Sequence, residues 1–288
     1  MKANIATFQQ HRARLYGLAY RMLGTRADAE DMLQDAYLRW HRSDIESIRN
    51  PEAWLVTTVT RLCIDRLRLA RTEREAYKGP WLPEPIVDEL TAAPEKSSEL
   101  ASDLSMALLV VLERLEPEER AALLLREVFD SDYAEIANVL GKNEAACRQL
   151  VHRAQQRVRK ERPSLRVSHA AREELLDKFV TAIHAGNKQA LIALFAPDAT
   201  WTADGGGKTA AASKTLAGAA RIAKLVLGFV RRFGSGLVFR KAIVNGELGL
   251  LLCVDGRPLT ALSIYTDGRQ ILAAYNVVNP EKLRSGLH

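Results

Sequence analysis

Three Asx-Gly pairs, Asn245-Gly246, Asp255-Gly256 and Asp267-Gly268, separate four apolar runs at 237–244, 248–254, 259–265 and 271–278. Such a pair supplies the positive φ angles that a tight hairpin turn requires, so the last quarter of the chain is predicted to be an antiparallel meander. Helical spacing precedes it. Leu175, Leu176, Phe179 and Ile183 share one face of a predicted helix over 170–185, and 191–195 and 216–233 are read as two further helices. Helices followed by a meander make a small α+β domain with a curved sheet.

The first half reads differently. Phe8, Leu15, Leu18 and Met22 recur at helical spacing up to Gly24. Met32, Leu33, Ala36, Tyr37 and Trp40 form the apolar face of a helix over 28–42, and Pro51 opens another that runs to about residue 70. Pro80, Pro83, Pro85 and Pro94 then crowd a stretch where proline blocks helix interiors, which marks a linker. Helices resume near Glu99, and Pro117 opens the next one. The 288 residues therefore divide into helical domains at 1–75 and 101–163, a linker at 76–100, and the α+β domain at 168–288.

Composition narrows the function classes. No apolar run has the roughly 18 residues that a spanning helix needs, and the N-terminus lacks a continuous apolar signal stretch. Cys63, Cys147 and Cys253 have no paired spacing, so neither a disulfide nor a metal site is expected, and the chain reads as cytoplasmic. The net charge of +6 is unevenly spread. Residues 1–160 carry 24 Lys+Arg against 25 Asp+Glu, whereas 161–288 carry 17 against 10. Six acids fall within 84–103. Eight bases fall within 142–166, a block suited to a polyanion.

The segment 132–159 carries the most specific physical signal. A short helix ends at Gly141, which permits a tight turn, and a second helix begins at Glu144. Ile136, Ala137, Leu140, Cys147, Leu150 and Val151 point inward, as two closely crossing helices require. Glu144, Arg148, Gln149, His152 and Arg153 lie outward, where Arg and Gln read base edges, while Arg157 neutralises phosphate. A basic helical hairpin with a solvated face has the same pattern. Asp28, Asp31 and Asp35 form one helical stripe, either a docking face for a basic helix or acids that favour a helix N-terminus. Arg61, Arg66, Arg68, Arg71 and Arg74 crowd the helix that begins near Asn50 and its C-terminal end, where bases also favour a helix terminus; Trp54 beside them suits stacking on unpaired bases, or is a core residue.

Together these segments resemble the extracytoplasmic-function sigma factors. Ala27-Asp28-Ala29-Glu30-Asp31-Met32-Leu33-Gln34-Asp35 is similar to the helix with which that family grips the β′ clamp helices of RNA polymerase. The resemblance assigns Asp28, Asp31, Gln34 and Asp35 to polymerase. It assigns Asn50, Trp54, Arg61, Arg66, Arg68 and Arg71 to the minus-ten element. Leu115-Glu116-Pro117-Glu118 and the helix-turn-helix are similar to region four, which reads the minus-thirty-five element and meets the β flap. Trp81-Leu82-Pro83-Glu84-Pro85, Asp204-Gly205-Gly206-Gly207-Lys208 and Asn279-Pro280-Glu281-Lys282-Leu283 resemble three marks of the sigma-factor group with a fused SnoaL-like domain. Glu281 stands where Asp is usual.

The resemblance implies two all-α sigma domains, the second with a helix-turn-helix, followed by an α+β SnoaL-like cone. It implies an initiation factor, monomeric when free, that needs no cofactor, binds core polymerase and promoter DNA, and is tuned by its own C-terminal domain. A one-component regulator with a ligand-sensing domain and a SnoaL-like cyclase or isomerase are the alternatives. For the enzyme, His184, Asp198, Asp204, Tyr265 and Tyr275 are the candidate acids and bases, and no His–Asp constellation is visible among them.

Overall fold

The computed structural model describes residues 2–44, 47–89, 105–161 and 167–286. They form two compact units, Met1–Glu75 with Leu109–Pro163, and Ala76–Leu108 with Ser164–His288.

In the first unit, α1 (Lys2–Leu23), α2 (Arg26–Arg42) and α3 (Pro51–Glu75) pack as a three-helix domain. Thr25 caps α2, its hydroxyl oxygen accepting from the Asp28 amide. Ala29, Leu33, Ala36 and Trp40 make the buried face of α2. Next come α4 (Met106–Leu112), which enters from the second unit, α5 (Pro117–Phe129), α6 (Tyr133–Leu140) and α7 (Glu144–Glu161). Asp132 caps α6 in a capping box with Glu135, and Gly141 ends it at φ 66°. That left-handed residue turns the chain into α7, which buries Cys147, Leu150, Val151 and Ala154. Helix, tight turn and helix are where the sequence predicts them. The start read near Glu99 falls on residues outside those described.

The second unit holds α8 (His169–His184), α9 (Lys188–Leu194), α10 (Ala219–Phe233) and α11 (Pro280–Gly286) around one sheet. Its strands are β1 (Val87–Glu89), β2 (Phe195–Asp204), β3 (Leu216–Ala217), β4 (Leu237–Val244), β5 (Glu247–Val254), β6 (Arg257–Thr266) and β7 (Ile271–Val277). The order is β1-β4-β5-β6-β7-β2-β3, antiparallel throughout except for the β2/β7 pair. The core lies between the sheet and α8–α10, around Leu176, Phe179, Ile222, Leu250, Leu262 and Ile264.

The meander β4–β7 matches the Asx-Gly reading. Asn245 and Asp255 stand at φ 51° and 50°, each followed by a glycine at φ 75° and 74°. Three features differ from expectation. The helix read as 216–233 starts at Ala219, because Gly218 at φ 98° breaks it and 216–217 pair with β2. The apolar run after α9 is strand β2, placed beside β7 by a parallel pairing that no local turn announces. The third lies in the linker, which contributes β1 to the sheet edge beside β4.

Candidate nucleic-acid interface and linker site

The predicted polymerase stripe on α2 divides in two. Asp28 turns inward. Its carboxylate accepts from Arg66 Nε of α3 at 2.8 Å and from the Thr25 hydroxyl at 2.6 Å. Asp31, Gln34 and Asp35 stand exposed on the face opposite Leu33 and Ala36. Asp28 thus fastens α2 to α3, and the outward acids are Asp31 and Asp35.

On α3 the predicted arginines also divide. Arg66 is held by Asp28 and Glu73, Arg68 by Asp65 and Glu118, and Arg71 by Glu75. Arg61 donates to the carbonyls of Asn138 and Val139 at 2.8 and 2.9 Å. It also lines a cleft of about 700 Å³ with Arg39, Arg49, Asn50 and Trp54, and no carboxylate residue is among the residues lining it. Asn50 accepts from the Ala53 amide and so starts α3. Trp54 is half-buried, its ring centroid 5.5 Å from that of Trp40. Three cations, an amide and an aromatic ring around one open cleft suit an unpaired nucleic-acid strand. Sequence reading missed Arg39 and Arg49. Arg39 sits on the polar face of α2, a place any solvated helix fills with charge, and only the fold brings it to Trp54.

On the helix-turn-helix, Glu144, Arg148, Gln149 and His152 are exposed along α7. Arg148 pairs with Glu144 at 2.6 Å and lies over the Tyr133 ring. His152 shares a hydrogen bond with Gln156. Arg153 and Arg157 are exposed too but lean toward Glu119 of α5, at 3.2 and 3.7 Å, and Arg157 also donates to the Arg114 carbonyl. Free donors on the outward face are therefore fewer than the sequence pattern implied.

In the second unit the three glycine- and proline-marked segments converge on Asp204, which is fully buried at the end of β2. Its Oδ1 accepts from the Tyr77 hydroxyl at 2.6 Å and from the Gly206 amide at 3.1 Å. Its Oδ2 accepts from the Leu82 amide at 2.9 Å and from Lys282 Nζ at 2.7 Å. Lys282, itself buried, also donates to the Leu82 carbonyl, and its ammonium lies 4.0 Å from the Trp81 ring centroid. Asn279 donates from Nδ2 to the Tyr77 oxygen at 3.0 Å and accepts from the Glu281 amide at 3.1 Å. Lys208 pairs with Glu281 at the surface, which holds the Glu281 carboxyl below its ordinary range. Burial, then the bond to Asp204, pushes the Tyr77 hydroxyl up from its ordinary range.

The glycines follow from this packing. A Cβ on Gly206, at φ 60°, would stand 2.4 Å from Asn279 Nδ2 and 2.9 Å from the Tyr77 oxygen. One on Gly207, at φ 70°, would meet Lys78, and one on Gly205 would meet the Thr209 carbonyl at 2.5 Å. Leu82, Pro83, Glu84 and Pro85 are buried, as are Asn279 and Leu283, while Pro280 is half-buried at the start of α11. Ile86 and Asn245 then exchange two hydrogen bonds and lead into β1. At Asp204 the linker offers a hydroxyl, an amide and the neighbouring carbonyl that shares Lys282, and the carboxylate they meet belongs to the C-terminal domain. Glu95, Glu99 and Asp103 lie outside the described residues. Tyr77 and Lys78, which precede the Trp-Leu-Pro-Glu-Pro motif, were not singled out by the sequence.

The enzyme candidates do not assemble. His184 is exposed with its ring against Phe239, Asp198 is exposed on β2, and Tyr265 and Tyr275 are half-buried on β6 and β7. Among the described residues no cluster of His, Cys, Asp and Glu has the form of a metal site, and no helix is long and apolar enough to cross a membrane.

Comparison with known proteins gives the family. Residues 7–73 match the model of sigma-70 region 2, and residues 105–158 match that of sigma-70 region 4. The chain is 40% identical over 292 residues to the ECF RNA polymerase sigma factor SigJ of Mycobacterium tuberculosis, covering 96% of this chain and 92% of that protein. It is 29% identical over 280 residues to a probable ECF sigma factor, SigI, of the same organism, covering 96% and 94%. The crystal structure of M. tuberculosis SigJ superposes with a TM-score of 0.78 at 37% identity over 97% of this chain and 98% of that one.

Proposed function

Because this chain belongs to the extracytoplasmic-function family of RNA polymerase sigma factors, we propose that Asp31, Gln34 and Asp35 dock it on core polymerase while the docked linker governs how freely its two sigma regions reach the promoter. The family's activity is promoter-specific initiation of transcription, not catalysis, and neither the dimeric ligand-sensing regulator nor the cyclase is favoured. The protein acts where core polymerase is, in the cytoplasm. The β′ clamp helices are the partner for the α2 acids and the β flap for region four. The cleft of Arg39, Arg49, Asn50, Trp54 and Arg61 takes the minus-ten strand, with Arg66, Arg68 and Arg71 supporting α3. Arg148, Gln149 and His152, beside Glu144, read the minus-thirty-five duplex, and Arg153 and Arg157 serve its phosphates once released from Glu119.

One observation carries the regulatory part. Region two and region four lie in one compact unit, joined by Arg61 to Asn138 and Val139 and by Arg68 to Glu118. The two promoter elements lie about 25 base pairs apart, roughly 85 Å along B-DNA. Domains in hydrogen-bonding contact do not reach both, so the packed arrangement is the resting state and promoter binding separates them. The described part of the linker between them, 76–89, belongs to the other unit, fastened at Asp204. Its grip therefore sets the length of chain available for separation.

Run-off transcription with bacterial core polymerase tests this reading. The double charge reversal Asp31→Arg with Asp35→Arg is expected to weaken core binding about 100-fold, because like charges then meet a basic partner. Unchanged core affinity would refute the α2 assignment. Gln149→Ala is expected to cost about 1–3 kcal/mol of discrimination at the minus-thirty-five element while leaving core binding intact. Equal output from matched and mismatched elements in the unaltered protein would remove that role from α7.

A further inference from the structure

The C-terminal domain holds an open cavity of about 670 Å³ between α10 and the sheet. That volume is within the roughly 300–1,000 Å³ of sites that take small organic molecules. Phe179, Trp201, Leu252, Leu262 and Phe229 supply its walls. Its charged lining residues are Arg221, Lys224 and Arg232, and no carboxylate residue is among them. All three cations are exposed on α10, Arg221 and Lys224 about one turn apart and Arg232 about two turns further on. Among the described residues none of the three is in an ion pair. Inside, Asn276 accepts from the Thr260 hydroxyl through Oδ1, which leaves its NH2 as a donor for the cavity. An apolar interior with one amide donor and a mouth of three unpaired cations selects for an apolar molecule with one anionic group.

The cavity wall is also the back of the linker site. Ala203 lines the cavity and the next residue, Asp204, holds the linker; Val278 lines it and the next, Asn279, bonds Tyr77. Ala211 lines it from a loop packed so closely that a Cβ on Gly205 would stand 2.8 Å from the Ala211 Cβ. A molecule that displaces Ala203 or Val278 therefore moves the neighbour of Asp204 or of Asn279, which hold the linker, and one that displaces Ala211 presses on the loop that follows Asp204.

We propose that this cavity binds an apolar monoanion of carboxylate or sulfonate type through Arg221, Lys224 and Arg232, and that occupancy is transmitted to the linker grip at Asp204. The second clause rests on the linker reading above; the first does not. The test uses the full chain and two fluorescent probes that differ in one group, anilinonaphthalene sulfonate and its uncharged parent, N-phenylnaphthylamine. The sulfonate is expected to bind about tenfold tighter than the parent, and the combination Arg221→Gln, Lys224→Gln, Arg232→Gln is expected to abolish that preference. Gly228→Trp fills the cavity from α10, where a Cβ has nothing within 4 Å, and is expected to lose both probes. Ala212→Phe fills it from another wall and repeats the test should the first variant fold poorly. Sulfonate binding unchanged in the filled variants would overturn the site, and a parent probe that binds as tightly as the sulfonate would overturn the anion selectivity. Hydrogen exchange at 77–89 is then followed with and without saturating sulfonate. A changed rate is expected, and identical rates would overturn the transmission while leaving the binding site standing. Neither readout involves transcription, so a failure here is separate from a failure of the sigma-factor reading.

Discussion

Asp204→Ala is expected to destabilise the C-terminal unit by about 3–5 kcal/mol and to release the linker, because it strands a buried ammonium without its anion. Lys282 is buried and the Asp204 carboxylate carries its charge at 2.7 Å. Removing the carboxylate also orphans the Leu82 amide, whose bond is made away from water, and takes from the half-buried Tyr77 hydroxyl the acceptor of its proton. Thermal unfolding reads the first effect, and amide exchange across 77–89 reads the second. The double variant Asp204→Ala with Lys282→Met separates charge from fold. An apolar pair of similar volume restores much of the stability but not the bonds to Leu82 and Tyr77. The expected pattern is near-recovery of the unfolding temperature with a linker that still exchanges fast. A double variant whose linker exchanges as slowly as the unaltered chain would show that Pro83, Pro85 and β1 hold the linker without Asp204.

The sequence made some of this legible and hid the rest for a physical reason. Local chemistry was readable. The left-handed positions at Asn245, Asp255 and Gly141, the Asp132 cap and the proline start of α5 each depend on residues within a turn of one another. What was hidden depends on pairing across the chain. Strand β2 joins β7 in parallel some 70 residues later in sequence, with no hairpin turn to announce it, and β1 adds to β4 from within a proline-rich stretch. The site followed the same rule. The glycines of 205–207 were visible as a motif, but their cause, the approach of Tyr77, Lys78 and Asn279, lies in segments far away in sequence. The acidic stripe of α2 was correctly periodic and still over-read, since periodicity does not reveal that Arg66 draws Asp28 inward.

Glu113→Ala is expected to open the helical unit. Glu113 stands at the junction of α4 and α5 and receives two arginines, Arg74 from α3 and Arg120 from α5. Those arginines also donate to the carbonyls of Leu23 and Met22, the last residues of α1, where cations favour a helix end. Region four thereby caps a helix of region two through one shared carboxylate. Arg120 is 1% exposed, so without Glu113 its charge remains buried beside that of Arg74, at a cost of about 3–5 kcal/mol to the packed arrangement. A resting state favoured over the separated one by about 3 kcal/mol keeps under 1% of the protein open, and a loss of that size makes separation commonplace. Labels placed by Leu69→Cys on α3 and Gln156→Cys on α7 would report the distance between regions. Native cysteines do not compete, since Cys63, Cys147 and Cys253 are buried and burial pushes the Cys63 thiol up from its ordinary range. The expected result is a longer distance in the free variant and, at limiting protein, about tenfold more promoter-specific transcript than the unaltered chain yields. A fall in transcript at unchanged distance would assign Glu113 to the fold of region four itself, and the closed unit would then carry no regulation.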